Sequence, residues 1–293
     1  MIDAHTHIHI NSNLEESKKR MSDYMKMLKD NNIEESIVMI DPFIDKYECS
    51  KEKSHFVKTK LDEERHEIYC KCEVCKKETY RGGDPYIDYN LFLLNNLEKE
   101  QNVNVFPVLP AVPSVIQNSI DYYKGLYKSI KGFKAYTGTS SYTLDELGKL
   151  SLKKPLLVHS GTYRNQDPAN MIKFAKNFDS YLIIAHFAGL NLDAIRQLKE
   201  IDNVVIDISP AKKMYELYIK SNRKGGMFNK ESIHSVEDMY YLLCENFVID
   251  RIVWGSDYPY SNQKEEIQCI LDTSFFTNSE KEKILSKNIK GII

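Results

Sequence analysis

The stretch Met1-Ile2-Asp3-Ala4-His5-Thr6-His7-Ile8-His9-Ile10 reads as a β-strand that begins at the second residue. Side chains two apart on a strand share a face, so His5 and His7 project together, with His9 continuing that face nearer the following loop. Working outward, seven further short runs rich in apolar and β-branched residues read as strands, at 36–41, 103–109, 132–136, 155–160, 181–186, 204–208 and 251–256. Helix-length segments with a 3.6-residue apolar period lie between most of them, at 14–30, 114–129, 169–177 and 192–200. Strands that alternate with helices imply βαβ units and a parallel sheet. Eight such units predict an α/β chain folded as a (β/α)8 TIM barrel, an architecture of about 250 residues. An open doubly wound sheet is the alternative. It carries a glycine-rich phosphate turn after its first strand, and this chain has none there.

The length of 293 residues therefore reads as one barrel domain over 1–293 rather than two domains. A chain of this size buries roughly 75% of its unfolded surface and needs no disulfide staples. With 40 basic and 42 acidic residues, the charge excludes a nucleic-acid binder held by phosphate contacts. No apolar run approaches the ~20 residues that cross a bilayer, so no membrane partner is expected. The first residues carry neither a basic region nor a cleavage site, so a cytoplasmic location is expected, where thiols stay reduced or bind metal. No internal repeat is evident.

Two stretches interrupt the alternation. One, at 43–85, is long, charged and cysteine-bearing, and follows the second strand. The other, at 210–247, precedes the eighth strand and reads as one or two added helices, with Arg223-Lys224-Gly225-Gly226 as a joint. Loops that follow barrel strands lie on the C-terminal face, where active sites are built, so both insertions are expected over that face.

Several polar residues sit where packing favours apolar ones. His159 closes Pro155-Leu156-Leu157-Val158, His186 closes Leu182-Ile183-Ile184-Ala185, and Asp257 closes the eighth strand. A lone histidine at such a place is more often a satisfied core residue. Two at equivalent positions of successive strands, with the His5–His7 pair and an aspartate that burial penalises unless it is paired or metal-bound, indicate a divalent-metal site. Strand eight neighbours strand one in a barrel, which carries Asp257 to the histidine pair.

His5-x-His7, Val158-His159, Ala185-His186-Phe187-Ala188-Gly189, Trp254-Gly255-Ser256-Asp257-Tyr258-Pro259 and the closing Lys287-Asn288 resemble the motifs of the amidohydrolase superfamily. The nearest resemblance is to its amidohydrolase-related branch, which includes aminocarboxymuconate-semialdehyde decarboxylase and TIM-barrel metal-dependent hydrolases. The resemblance implies that His5, His7, His159 and Asp257 hold one metal, Zn²⁺ or another divalent ion, with Asp257 also catalytic. It implies that His186 polarises the water or substrate, or acts as general acid–base. Residue chemistry alone leaves His186 open between ligand and catalyst. Lys134 is open between a carboxylated lysine bridging two metals, a contact for an anionic substrate, and a structural ion pair. Tyr136 faces the same way as Lys134, and Ser209 would line the mouth.

Cys70-x-Cys72-x2-Cys75 contains one Cys-x2-Cys knuckle, with Cys49 upstream as a fourth thiolate and His55 and His66 as competitors. A charged loop cannot bury a core of its own, so a structural Zn²⁺ is expected to fold this insertion as a lid. Cys244 and Cys269 lie in helical patterns and read as core. Arg81, on the return from this insertion, is expected to overhang the site and clamp a carboxylate, against the plainer reading of a solvated arginine.

Function follows as a metal-dependent hydrolase that uses an activated water on a C–N or C–O bond, such as a cyclic amide or lactone, of a small anionic substrate. A metal-dependent non-oxidative decarboxylase of an aromatic or unsaturated acid is the alternative, and a non-catalytic metal-binding barrel the third reading. A related nuclease-type barrel would place a glutamate where this chain has Lys134. Families of this kind are commonly dimers, which keeps a homodimer open.

Overall fold

The computed structural model describes the chain except residues 12, 42–56, 63–66, 73–77, 83, 85, 98, 110–118, 121–122, 124–129, 137–151, 162–165 and 221–232, and gives the backbone alone at 57–62, 67–72, 78–82 and 217–220. Among the described residues the strands run in chain order as β1 (Ile2–Ile8), β2 (Glu35–Ile40), β3 (Val57–Asp62), β4 (Glu67–Cys72), β5 (Glu78–Gly82), β6 (Val103–Val105), β7 (Phe133–Tyr136), β8 (Leu156–His159), β9 (Leu182–Ile184), β10 (Val204–Asp207) and β11 (Ile252–Val253). The sheet β1-β2-β6 and the sheet β11-β10-β9-β8-β7 are parallel throughout. Backbone hydrogen bonds join them at both edges. Ala4 N–H donates to Trp254 O at 3.0 Å and His7 N–H to Tyr258 O at 2.6 Å on one side. Leu109 N–H donates to Lys134 O at 2.8 Å, and Lys134 N–H to Pro107 O at 3.0 Å, on the other. The eight parallel strands are those expected from the sequence, and the two seams close them into the barrel.

Strands buried on both faces read as continuous apolar runs, which is why Leu182–Ile184 and Leu156–Val158 contain nothing polar. The helix α1 (Leu14–Asp30) covers the barrel beside β1. Asn13 caps it by accepting from Glu16 N–H, and Glu15 and Glu16 complement the positive end of its dipole. Its buried face, Met21, Tyr24 and Leu28, follows the 3.6-residue period. The Tyr24 hydroxyl reaches through that face to donate to Ser36 Oγ at 2.7 Å, beneath the strand that carries His5 and His7.

The expected helix at 192–200 spans Leu192–Lys199. At 169–177 a 3-10 turn, Pro168–Met171, leads into a short helix, Ile172–Lys176, because Asp167 caps the turn and Pro168 fits its first position. Most of 114–129 lies outside the described residues. Before β11, the helices Ala211–Lys220 and Val236–Asn246 occupy the second interruption, and Arg223–Gly226 lie outside the description.

The first interruption holds regular structure where the sequence reading expected a loop. Strands β3, β4 and β5 form an antiparallel sheet, with Val57 opposite Cys72 and Cys70 opposite both Thr59 and Tyr80. Val57-Lys58-Thr59-Lys60-Leu61-Asp62 alternates apolar and polar residues, a strand period that its charge conceals. Arg81 stands on β5 opposite Tyr69, in a ladder rather than on a free loop. Cys70 and Cys72 lie on β4; Cys49, Cys75, His55 and His66 lie outside the described residues. Cys244 and Cys269 are half-buried rather than core, and burial pushes their thiols up to about 12 and about 11. Among the described residues no helix is long and apolar enough to cross a membrane.

Candidate metal centre

Six charged or imidazole side chains gather at the C-terminal ends of the barrel strands: His5 and His7 on β1, Lys134 on β7, His186 after β9, Asp207 at the end of β10 and Asp257 after β11. All six are buried. Two of them sit on strained backbone. His186 opens a run in which Phe187, Ala188, Gly189 and Leu190 also have positive φ, and Asp257 has φ 54°. Each such non-glycine residue costs roughly 1–2 kcal/mol, which packing around the site must offset. The strained turns aim His186 and Asp257 at β1, and Asp257 N–H is held by His5 O at 2.7 Å.

The hydrogen bonds behind the histidines decide their tautomers. His5 Nδ1 lies 2.7 Å from Asp207 Oδ2. Both Asp207 oxygens already accept from Ser209, Oδ1 from its N–H at 2.8 Å and Oδ2 from its hydroxyl at 2.6 Å, so the carboxylate takes a further hydrogen from His5. His7 Nδ1 faces Ile40 O at 3.3 Å, a group that only accepts. Both rings thus carry hydrogen on Nδ1 and turn an Nε2 lone pair inward. The two Nε2 atoms are 3.1 Å apart, and Asp257 Oδ1 lies 3.6 Å from the first and 3.3 Å from the second. Three acceptors crowd one point, an arrangement that a cation between them would satisfy. Ligands about 2.1 Å from a tetrahedral Zn²⁺ stand about 3.4 Å from one another, so the donor set fits such an ion. His5, His7 and Asp257 are therefore the residues that could hold a divalent metal, and His5, His186 and Asp207 form a second group of converging donors.

Lys134 Nζ already reaches into this cluster, 3.1 Å from His5 Nε2. Burial lowers its pKa to about 7, against the pull of Asp257 and Asp207. Burial likewise drives His5, His186 and His159 below the ordinary imidazole value, and Lys134 adds to this at all three. Burial raises the Asp207 carboxyl to about 7, opposed by its hydrogen bonds from Ser209.

His186 Nδ1 donates to Ser209 O at 2.8 Å, which leaves its Nε2 to accept from His159 Nδ1 at 3.0 Å. His159 thus stands against His186, and its own Nε2 remains an acceptor. The Tyr136 hydroxyl lies 3.3 Å from His7 Nδ1. Ser209 Oγ is also 3.1 Å from His5 Nδ1. At the mouth, His9 Nδ1 is 3.9 Å from Asp41 Oδ2, and Tyr260 donates to Asp41 Oδ1 at 2.5 Å. The sequence reading missed Asp3, Asp41 and Asp207. Asp207 had the same signal as His159 and His186, a polar residue closing a buried apolar run.

Residues 145–290 match the family model described as Amidohydrolase. That stretch belongs to the amidohydrolase family. The match marks this as a metal-dependent enzyme of the amidohydrolase superfamily. The matched stretch carries His159, His186, Asp207 and Asp257 of this amidohydrolase barrel. The fold likeness extends further. 2,6-Dihydroxybenzoate decarboxylase from Rhizobium superposes with a TM-score of 0.60 at 12% identity, covering 99% of this chain and 97% of that one. 5-Carboxyvanillate decarboxylase from Sphingomonas paucimobilis gives 0.60 at 9%, covering 100% and 98%. A dihydroxybenzoic acid decarboxylase from Polaromonas, with bound manganese and the inhibitor 2-nitroresorcinol, gives 0.60 at 12%, covering 99% and 96%. No curated protein matches the chain in sequence.

Proposed function

We propose that this barrel is a metal-dependent, non-oxidative decarboxylase of a small aromatic or unsaturated carboxylic acid. The observation that carries the reading is the convergence of His5 Nε2, His7 Nε2 and Asp257 Oδ1, three acceptors with a cation's spacing, at the end of the barrel where substrates bind. The likeness to solved decarboxylases supports decarboxylation over hydrolysis. A divalent ion held there supplies Lewis acidity toward substrate oxygens.

The chain's own groups do the rest. Lys134 presents an amine at the floor of the site that can donate to an anionic substrate, while Tyr136 stands on the same strand beside His7. In decarboxylation the bond from the substrate carbon to its carboxylate breaks, CO₂ leaves, and the electron pair stays on that carbon, which takes a proton. The His159–His186 pair shares one hydrogen between Nδ1 and Nε2 and is placed to deliver a proton. Asp257, on strained backbone, would hold the metal together with His5 and His7. Hydrolysis of a cyclic amide or lactone is the second reading, favoured by the matched family model, whose description is Amidohydrolase.

Zn²⁺ is the ion the donor chemistry suggests, and manganese the one its Polaromonas counterpart holds. A second, structural Zn²⁺ is proposed on Cys49, Cys70, Cys72 and Cys75. Arg81 is proposed as a contact for the substrate carboxylate, and a homodimer as the assembly. The deciding experiment is a panel of hydroxybenzoates, unsaturated diacids, lactones and cyclic amides with Zn²⁺- or Mn²⁺-loaded protein. CO₂ release from an acid is expected; ring opening alone would make the protein a hydrolase. Elemental analysis should return two metal equivalents, one of which Cys72→Ser with Cys75→Ser removes.

A further inference from the structure

The seventh barrel strand ends in Asp207-Ile208-Ser209, and neither polar residue can touch a substrate: both are fully buried behind His5. Their side-chain hydrogen bonds run to each other and to histidines. Asp207 Oδ2 holds His5 Nδ1 at 2.7 Å, Ser209 fixes both Asp207 oxygens, and Ser209 O accepts from His186 Nδ1 at 2.8 Å. The wall is tight on the other side. A Cβ on Gly255 would lie 2.6 Å from His5 Cβ and 3.1 Å from Asp207 Oδ1, so neither side chain can swing away.

We infer that Asp207 is a positioning residue of the metal centre, one that keeps the hydrogen of His5 on Nδ1 and so keeps Nε2 open to the cation. Metal-bound histidines generally donate their second N–H in this way, and loss of the partner typically weakens metal binding about 10–100-fold. The inference rests on the metal-dependent reading above. Its consequence is specific. In Asp207→Asn, Ser209 N–H demands an oxygen at the Oδ1 position, which turns the amide nitrogen toward His5 Nδ1. The imidazole must then accept there and carry its hydrogen on Nε2, the nitrogen meant for the metal.

Two measurements on the full chain test this. Titration of metal-free protein with Mn²⁺ against a competing chelator should show affinity for Asp207→Asn weakened about 10–100-fold, with its metal-free melting temperature near that of the unaltered protein. ¹⁵N spectra of the metal-free proteins should place the His5 hydrogen on Nδ1 in the parent and on Nε2 in Asp207→Asn. Equal Mn²⁺ affinity, or an unchanged tautomer, overturns the role of Asp207. A parent protein that takes up no Mn²⁺ overturns the metal-dependent reading instead, and the tautomer measurement still decides about Asp207. If Asp207→Asn does not fold, Ser209→Ala, which removes one donor to the carboxylate, should lose about three- to tenfold in affinity; no loss overturns the inference.

Discussion

Lys134 Nζ lies 3.1 Å from His5 Nε2, so a lysine amine donates into the point where three acceptors meet. It does so without leaving the barrel interior. Burial lowers its pKa from 10.5 to about 7, so between those values the unfolded chain binds a proton that the folded one does not. The sign follows: metal-free protein gains stability as pH rises from about 7 toward 10.5, by up to about 1.4 kcal/mol per pH unit. Lys134→Met should remove this slope and be the more stable form at pH 7. Denaturant midpoints of both proteins at pH 7 and 9 measure it, and parallel slopes would refute it.

Asp3 titrates the other way. Its carboxyl is fully buried and raised to about 6, although it accepts from Ser256 N–H at 2.9 Å and Gln263 Nε2 at 2.7 Å. The folded state keeps its proton from about pH 4 to about 6 while the unfolded state releases it, so this group's contribution is present below that window and lost as pH rises through it. Over those two units the loss approaches about 3 kcal/mol. Asp3→Asn should abolish that part of the pH dependence, visible as a difference between the two proteins in chemical denaturation at pH 4.5 and 7.

His186 has both nitrogens engaged by protein, with Ser209 O and with His159. His186→Asn should therefore retain its metal and lose turnover by about a hundredfold or more, the usual contribution of a general acid–base group. Metal content by elemental analysis beside the rate on the substrate found in the panel separates the roles. Loss of the metal would make His186 a ligand.

Gly255→Ala tests the closeness of the eighth strand to the first. The added methyl would meet His5 Cβ at 2.6 Å and His5 N at 2.9 Å, with backbone on one side and a metal-site residue on the other. Overpacking of this kind costs about 1–3 kcal/mol, read as a lower melting temperature, and it should weaken Mn²⁺ binding with it. An unaffected variant would mean that the two strands can part.

Much of this centre was legible because barrel strands are short and buried, so a polar residue at a strand's end stands out. That logic reached His5, His7, His159, His186 and Asp257. Asp207 carries the same signal, since the aspartate in Val-Val-Ile-Asp closes a buried run as the histidines in Leu-Val-His and Ile-Ala-His do. The left-handed turn at His186–Leu190 was not legible, since four of its five residues carry side chains that disfavour positive φ and nothing local announces it. The sheet β3–β5 is obscured because charged residues fill its alternating polar positions, and such a charge density is also what a solvated loop carries. Tautomers were beyond reach from sequence, because they depend on partners such as Ile40 O and Asp207 that only the closed barrel assembles.

The donors at His5 and His7 lie on β1, and Asp257 follows β11, so the ion they would share straddles the line along which the barrel closes. There the two ends of the folded strand sequence meet through few backbone hydrogen bonds, Ala4 to Trp254 and His7 to Tyr258 among them. A cation would act as a rivet across that line as well as a reagent. At a hundred times its dissociation constant it would add about 2.7 kcal/mol against unfolding. Stripped with a chelator, the barrel should unzip here first, and amide exchange should quicken along residues 2–8 and 252–258 while β8 to β10 stay closed.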